Sequence, residues 1–390
     1  MDRAELMAVV ADWSYWDRPL PGSVPRQVDL PDVLSDSVAL AVQGVRRCGK
    51  STLLHQLVGH YRLDRGRCAF VNFEDPRLSN ALSHELLDSI VAAFRAQHPD
   101  ADRLYFMFDE IQEVAGWERW LRSQLDRPLG NVFVITGSNA SLLSGELGST
   151  LTGRHLTVEL FPFDLLEART HDPTLTVADY LHLGGFPEPL GRRDGDRLRR
   201  QYVHDIVERD VRERIGARSS LPIRQVVQMA YESAGSETSL RRVAGAVGIA
   251  VDTAAGYLEA CEDAYLLFGV PFFAYSERKR AAYNRKYYPV DPGLRRVAVT
   301  RTGDDLGKAL ECATHTVLRR RHGEVYYWRG AGEVDFVVTD GDRETPVQVT
   351  WDGPQERHHR ALEAFYEAFP RANEALIVTA DTFADFAGAR

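Results

Sequence analysis

The chain has 390 residues, a net charge of −9, 44% hydrophobic residues and 26% charged ones, which suggests two or three ordinary folded domains and more than one core. The acidic balance argues against wholesale coating of nucleic acid and leaves room only for a local basic face. No run of 18 apolar residues predicts a membrane helix, the acidic start lacks the pattern of a secretory leader, and Cys48, Cys68, Cys261 and Cys312 form no CxxC pair, so no zinc site or disulfide framework is expected and a reducing cytoplasm fits.

The first strong element is SVALAVQ (37–43), which reads as a buried strand. It runs into GVRRCGKST (44–52) and then a helical apolar repeat, STLLHQLVGHY. Strand, glycine loop and helix form the setting for G-x-x-x-x-G-K-[ST]. The loop Gly44, Val45, Arg46, Arg47, Cys48, Gly49, Lys50, Ser51 and Thr52 is expected to wrap backbone N–H groups around nucleotide phosphates at a helix N-terminus. Lys50, one of four lysines in the chain, would reach the β- and γ-phosphates, and Ser51 would ligate Mg²⁺. The strand RLYFMFDEIQ (103–112) ends in Asp109, expected in the metal shell, and Glu110, expected to orient or deprotonate the attacking water. A third strand, NVFVITGSNASLL (131–143), offers Ser138 and Asn139 to sense the γ-phosphate or help place the water. Arg154, in the glycine turn that follows, is either a surface arginine or one that crosses a subunit interface to neutralise transition-state charge.

The middle of the chain reads as helical. RLRRQYVHDIVERDVRERI forms one amphipathic, arginine-rich helix. Residues 240–247, Gly248 and 252–263, with Asp252 as N-cap, follow the helix-turn-helix pattern. A strand LLFGVPFFAY and a turn bearing Arg278, Lys279, Arg280, Arg285 and Lys286 complete a winged helix, whose basic hairpin would grip phosphate. Its second helix carries four acids and no lysine or arginine, so a winged helix that binds protein stands as the alternative.

From 303 to 380 the order helix, three strands, helix, strand resembles the restriction-endonuclease-like fold. In that fold a helix glutamate, a strand aspartate and an E-x-K strand hold Mg²⁺ and place the water. Glu311 and Asp335 match the two acids, whereas Gln348 and Thr350 replace the E-x-K pair. An amide is a poorer Mg²⁺ ligand and threonine carries no charge, so the site reads as vestigial.

Together GVRRCGKST, YFMFDEIQ, ITGSNASLL, LTGR and ELFPFDLLE resemble a bacterial and archaeal family of AAA-type ATPases with a C-terminal region of unknown function, and LGGFPEPL, QYVHDIVERDV, YPVDPGL and EVDFVV extend the likeness. The resemblance implies an α/β fold in three parts. Residues 1–170 would be a P-loop AAA-type ATPase core, 171–300 a helical and winged-helix middle domain, and 301–390 a restriction-endonuclease-like α/β domain. It further implies ATP and Mg²⁺ as cofactors and a homo-oligomer, a hexameric ring among the forms. Branched or junction DNA is the first choice of substrate. The competing readings are a nucleotide-dependent assembly switch and, against the changes at Gln348 and Thr350, an ATP-gated nuclease.

Overall fold

The computed structural model describes residues 2–14, 23–139, 151, 153–300, 305–341 and 343–389, which divide into two compact units, Met1–Leu160 and Phe161–Arg390. The first unit contains α1 (Arg3–Trp13), β1 (Ala39–Gln43), α2 (Lys50–His60), β2 (Cys68–Asn72), α3 (His84–Arg95), β3 (Leu104–Asp109), α4 (Trp117–Asp126), β4 (Asn131–Gly137) and β5 (His155–Glu159). The five strands are parallel and ordered β2-β3-β4-β1-β5. A parallel sheet is covered on both faces. That accounts for the unbroken apolar runs of β1 and β4, which are buried at every position. On one side Phe106, Phe108 and Phe133 pack with Trp120, the Phe133 ring lying 5.5 Å from Phe106 and 5.4 Å from Trp120. The helix α3 closes this core with Leu86, Leu87, Ile90, Val91 and Phe94 on one face.

The second unit opens with α5 (Leu165–His171), α6 (Val177–Leu183) and α7 (Gly195–Asp205), the last continuing as a π-helical stretch over Ile206–Glu213. The expected single arginine-rich helix is thus one rod with a change of pitch. Then come α8 (Leu221–Glu232), α9 (Leu240–Val247), α10 (Val251–Asp263), β6 (Leu267–Val270), the short α11 (Glu277–Arg280), β7 (Lys286–Pro289) and α12 (Pro292–Ala298). The α9–α10 turn uses Gly248 at φ 76°, but α10 starts one residue earlier than expected, with Ala250 at the cap and Asp252 in the first turn. The strand expected over LLFGVPFFAY is only β6, because Pro271 has no N–H to continue the ladder with β7. Beyond it the Phe273 N–H donates to the Tyr327 carbonyl (2.7 Å), and Phe272 stacks on Tyr283 at 3.9 Å.

The chain ends with α13 (Leu306–His322), β8 (Tyr326–Arg329), β9 (Glu333–Asp340), β10 (Arg343–Val349), α14 (Glu356–Ala368), β11 (Leu376–Val378) and α15 (Phe383–Gly388). The sheet order is β11-β10-β9-β8, antiparallel except for the parallel β10–β11 pair. That is the helix, three strands, helix, strand succession read from the sequence. All four cysteines are buried and unbridged, and no helix among the described residues is long and apolar enough to cross a membrane.

Phe133→Ala should lower the stability of the first unit by about 3–5 kcal/mol, the usual cost of emptying an aromatic site in a packed core. Urea denaturation followed by tryptophan fluorescence measures it, and a loss below 1 kcal/mol would contradict the packing described.

Candidate active site

In a parallel sheet the strand ends carry the ligand-binding loops on one edge. Here β3, β4 and β1 are consecutive neighbours, so the loops that follow them must converge. Gly44 leaves β1 at φ 156°, where a Cβ would lie 2.0 Å from the Leu160 carbonyl oxygen, so glycine is required for the close pass. Arg47 and Gly49 take positive φ values of 70° and 105°, curling the loop onto the start of α2. Val45 and Cys48 are buried under it, Arg47 is exposed, Thr52 is half-buried and Arg46 pairs with Glu74 at 2.9 Å. The free N–H groups of the first turn of α2 make this end of the helix suited to an anion.

Lys50 is buried. Its Nζ donates to the Gly44 carbonyl at 3.1 Å and lies 3.4 Å from Glu110 Oε1. Burial is the largest influence and would lower its pKa, but Glu110, Cys48 and Asp109 together outweigh burial and raise it above the ordinary lysine value. Burial likewise pushes Glu110 upward, and Lys50 with Gln112, whose Nε2 donates at 2.6 Å, brings it below its ordinary value. Asp109 is the hub. It accepts from Ser51 Oγ at 2.6 Å, Thr136 Oγ1 at 2.6 Å and Asn72 Nδ2 at 2.9 Å. Burial, then the neighbouring Glu110 charge, raises it to about 6 in spite of the hydroxyl donors. Ser138 and Asn139 are buried just past β4, at the same edge.

Arg154 stands elsewhere. Its carbonyl accepts from Ala39 N at 2.9 Å, at the start of β1, whereas the phosphate loop follows the end of β1. Five residues of strand put about 17 Å between the two edges. Its guanidinium pairs with Asp126 at 2.9 Å. Four contributors had no signature in the sequence. Asn72 reaches Asp109 because β2 pairs with β3 in that register. Thr136 also accepts the Glu110 N–H at 2.9 Å, Gln112 holds Glu110, and Arg26 donates to the Cys48 carbonyl at 2.8 Å from a segment outside any motif.

In the second unit the five basic hairpin residues part company. Arg278 and Lys279 are exposed, Arg280 is half-buried against the Ala274 carbonyl and Glu277, and Arg285 is exposed, 3.7 Å from Glu262. Lys286 corrects the expectation of a phosphate-gripping hairpin. It is fully buried, its Nζ 2.6 Å from Glu333 Oε1 and 5.0 Å from the Tyr327 ring centre, and no nucleic acid can touch it. Glu311, Asp335 and Gln348 do come together, around a cavity of about 540 Å³ also lined by Glu333 and Lys308. Glu311 accepts from Tyr288 Oη at 2.6 Å, and Asp335 accepts from Gln348 Nε2 at 2.6 Å and Val349 N at 2.7 Å. Burial and then the Glu311 charge hold Asp335 well above the usual carboxylate range. Among the described residues no three His, Cys, Asp or Glu side chains are placed to hold a metal ion.

Thr136→Val removes a donor to Asp109 and the acceptor of the Glu110 N–H, leaving buried polar groups unpaired at a cost of about 1–3 kcal/mol. Chemical denaturation should show that loss, with Thr136→Ser close to the parent; equal losses in both variants would refute the hydroxyl's role.

Residues 36–168 match the family described as AAA domain, and residues 174–305 match a domain of unknown function (DUF8612). An uncharacterized protein of Haemophilus influenzae is 27% identical over 81% of this chain and 83% of its own length. One of Methanocaldococcus jannaschii is 29% identical over 84% and 78%. Among solved structures, the Walker-type ATPase PABY2304 of Pyrococcus abyssi is 17% identical over 67% of this chain and 91% of that one, with a TM-score of 0.43. Cdc6p from Pyrobaculum aerophilum is 13% identical over 67% and 79%, with a TM-score of 0.28. The parallel sheet, its phosphate loop and the match over 36–168 make this part of the chain a P-loop ATPase domain of the AAA type.

Proposed function

We propose that the chain binds ATP with Mg²⁺ on the loop Gly44–Thr52, hydrolyses it with Glu110 orienting the water, and uses the turnover as an oligomer to act on DNA. The observation that carries the hydrolysis is the meeting of Lys50, Ser51, Asp109 and Glu110 at one edge of the sheet, with Lys50 Nζ 3.4 Å from Glu110. The donor set fits the metal: a serine hydroxyl and a carboxylate held 2.6 Å apart supply the hard oxygen ligands that Mg²⁺ takes. When bound, the ion would neutralise charge on the β- and γ-phosphates.

The chain's own groups do the rest. Lys50, kept charged by Glu110, exchanges the Gly44 carbonyl for phosphate oxygens. That exchange releases Glu110 from its ion pair and leaves its carboxylate, still held by Gln112, to accept a hydrogen bond from the attacking water. Asn139, buried past β4, would hold that water or the γ-phosphate. Arg154 lies on the far edge of the sheet, so it would serve a neighbouring copy's nucleotide rather than its own, which is the basis for an oligomer.

DNA as the target rests on the α9–α10 helix pair and on exposed Arg278 and Lys279. Two observations favour a second reading, a nucleotide-driven assembly switch with a protein-binding winged helix: Lys286 is buried, and α10 carries Asp252, Glu259, Glu262 and Asp263.

Lys50→Ala should abolish nucleotide binding and Glu110→Gln should retain it while stopping turnover; normal turnover in Glu110→Gln would remove its assigned role. Arg154→Ala should keep nucleotide affinity and cut turnover by about 10³-fold or more, restored in part by mixing with Glu110→Gln protein. No restoration on mixing would count against action across an interface. Steady-state hydrolysis with no DNA, single strands, duplex and a four-way junction decides the target: stimulation over the DNA-free rate supports the DNA motor, and indifference to all three DNAs supports the switch.

A further inference from the structure

The phosphate loop carries a second cation beside Lys50. Arg46 stands two residues after Gly44 and four before Lys50. Its side chain is only 14% exposed and turns to the end of β2, where Nη1 donates to Glu74 Oε1 at 2.9 Å. The next residue, Arg47, is exposed. Glu74 is itself fixed. Its N–H donates to Asn72 Oδ1 at 2.8 Å, and Asn72 Nδ2 donates to Asp109 at 2.9 Å. A continuous chain of hydrogen bonds thus runs from Asp109 through Asn72 and Glu74 to the Arg46 guanidinium. Arg46 therefore shares the strand edge with Lys50 and Glu110, and its charge acts on both, against the ammonium and in favour of the carboxylate. Glu74 is 36% exposed, so the pair is open to water and costs little to exchange for another anion.

We propose that Arg46 is a catalytic arginine acting in cis: its guanidinium leaves Glu74 for the γ-phosphate of the nucleotide on its own loop and neutralises the charge of the transition state. The proposal rests on the ATPase reading and adds a residue to it. Phosphoryl transfer spreads negative charge over the equatorial oxygens of the γ-phosphate. A guanidinium meets two such oxygens at once with a planar fork of donors, and it does not lose its proton. Lys50, a single ammonium reaching the β- and γ-phosphates, supplies only a point charge. Glu74 is then the carboxylate that holds the arginine in place and competes with phosphate for it. Arg46 and Lys50 belong to one loop, so no neighbouring copy is needed to deliver this charge, in contrast to Arg154.

The test uses the full chain with Mg²⁺ and compares ATP turnover with the binding of ADP alone and of ADP with aluminium fluoride, which imitates the phosphoryl group in flight. Arg46→Ala should bind ADP as the parent does, lose the extra affinity that aluminium fluoride confers, and cut kcat by about 10³-fold or more. Arg46→Lys should recover little of that rate, because the paired donors are gone. Mixing Arg46→Ala with Glu110→Gln protein should restore nothing; restoration would place the arginine in a neighbour's site and overturn action in cis. Glu74→Gln should bind ADP with aluminium fluoride more tightly than the parent, and the absence of that gain overturns the proposal even where Arg46→Ala fails to fold. The proposal is also overturned if Arg46→Ala keeps the parent's kcat, or if its affinities for ADP with and without aluminium fluoride fall together, the mark of a purely structural role. A parent that binds no ADP removes the ATPase reading and this proposal with it, whereas a parent that turns over beside an equally active Arg46→Ala overturns this proposal alone.

Discussion

Three donors from three different elements converge on one buried carboxylate, Asp109: the Ser51 hydroxyl from α2, the Thr136 hydroxyl from β4 and the Asn72 amide from β2. This convergence ties the phosphate loop to the sheet. Without the parallel order β2-β3-β4, Asn72 and Thr136 would not flank Asp109. Without Gly44 passing against Leu160, Ser51 could not reach it. The same Thr136 oxygen accepts the Glu110 N–H, so one hydroxyl sets the carboxylate of one acid and the backbone of the next. Glu110 itself sits at φ 54°, a left-handed conformation that a side chain adopts at a cost of roughly 1–2 kcal/mol. That bond and the ion pair with Lys50 hold it there.

The second unit solves a similar problem with different parts. Its inner charges are matched across elements far apart in sequence: Lys286 with Glu333, and Arg320 with Asp164 at 2.7 Å. Buried ion pairs are poor sources of net stability but costly to break singly. They therefore fix which helix meets which strand. The helical region and the C-terminal sheet share one compact unit for this reason, as well as through the docking of Phe273 on Tyr327.

Legibility in the sequence followed the range of the interaction that carries each feature. The phosphate loop, the Asp109-Glu110 strand end and the α9–α10 turn depend on neighbours within a few residues, and they appear where the residues say. The roles of Asn72 and Thr136 depend on strand order, which no local pattern encodes. Lys286 shows the limit most plainly. Five basic residues near tyrosines look like a surface that grips phosphate, and Arg278 and Lys279 are exposed. Lys286 is the first residue of β7, and pairing with Val270 of β6 turns it inward to Glu333, 47 residues away.

That inward turn changes how a missing motif should be weighed. A reading confined to positions 348 and 350 subtracts one charge of each sign from the cavity. Lys286 of β7 is buried against Glu333, which lines that cavity, and position 348 carries an amide whose Oε1 has no hydrogen-bond partner. Chemistry at such a site is set by the charges and lone pairs that reach the cavity, whichever strand delivers them. A substitution in a linear motif therefore counts as a loss only after the neighbouring elements have been searched for the group that takes its place.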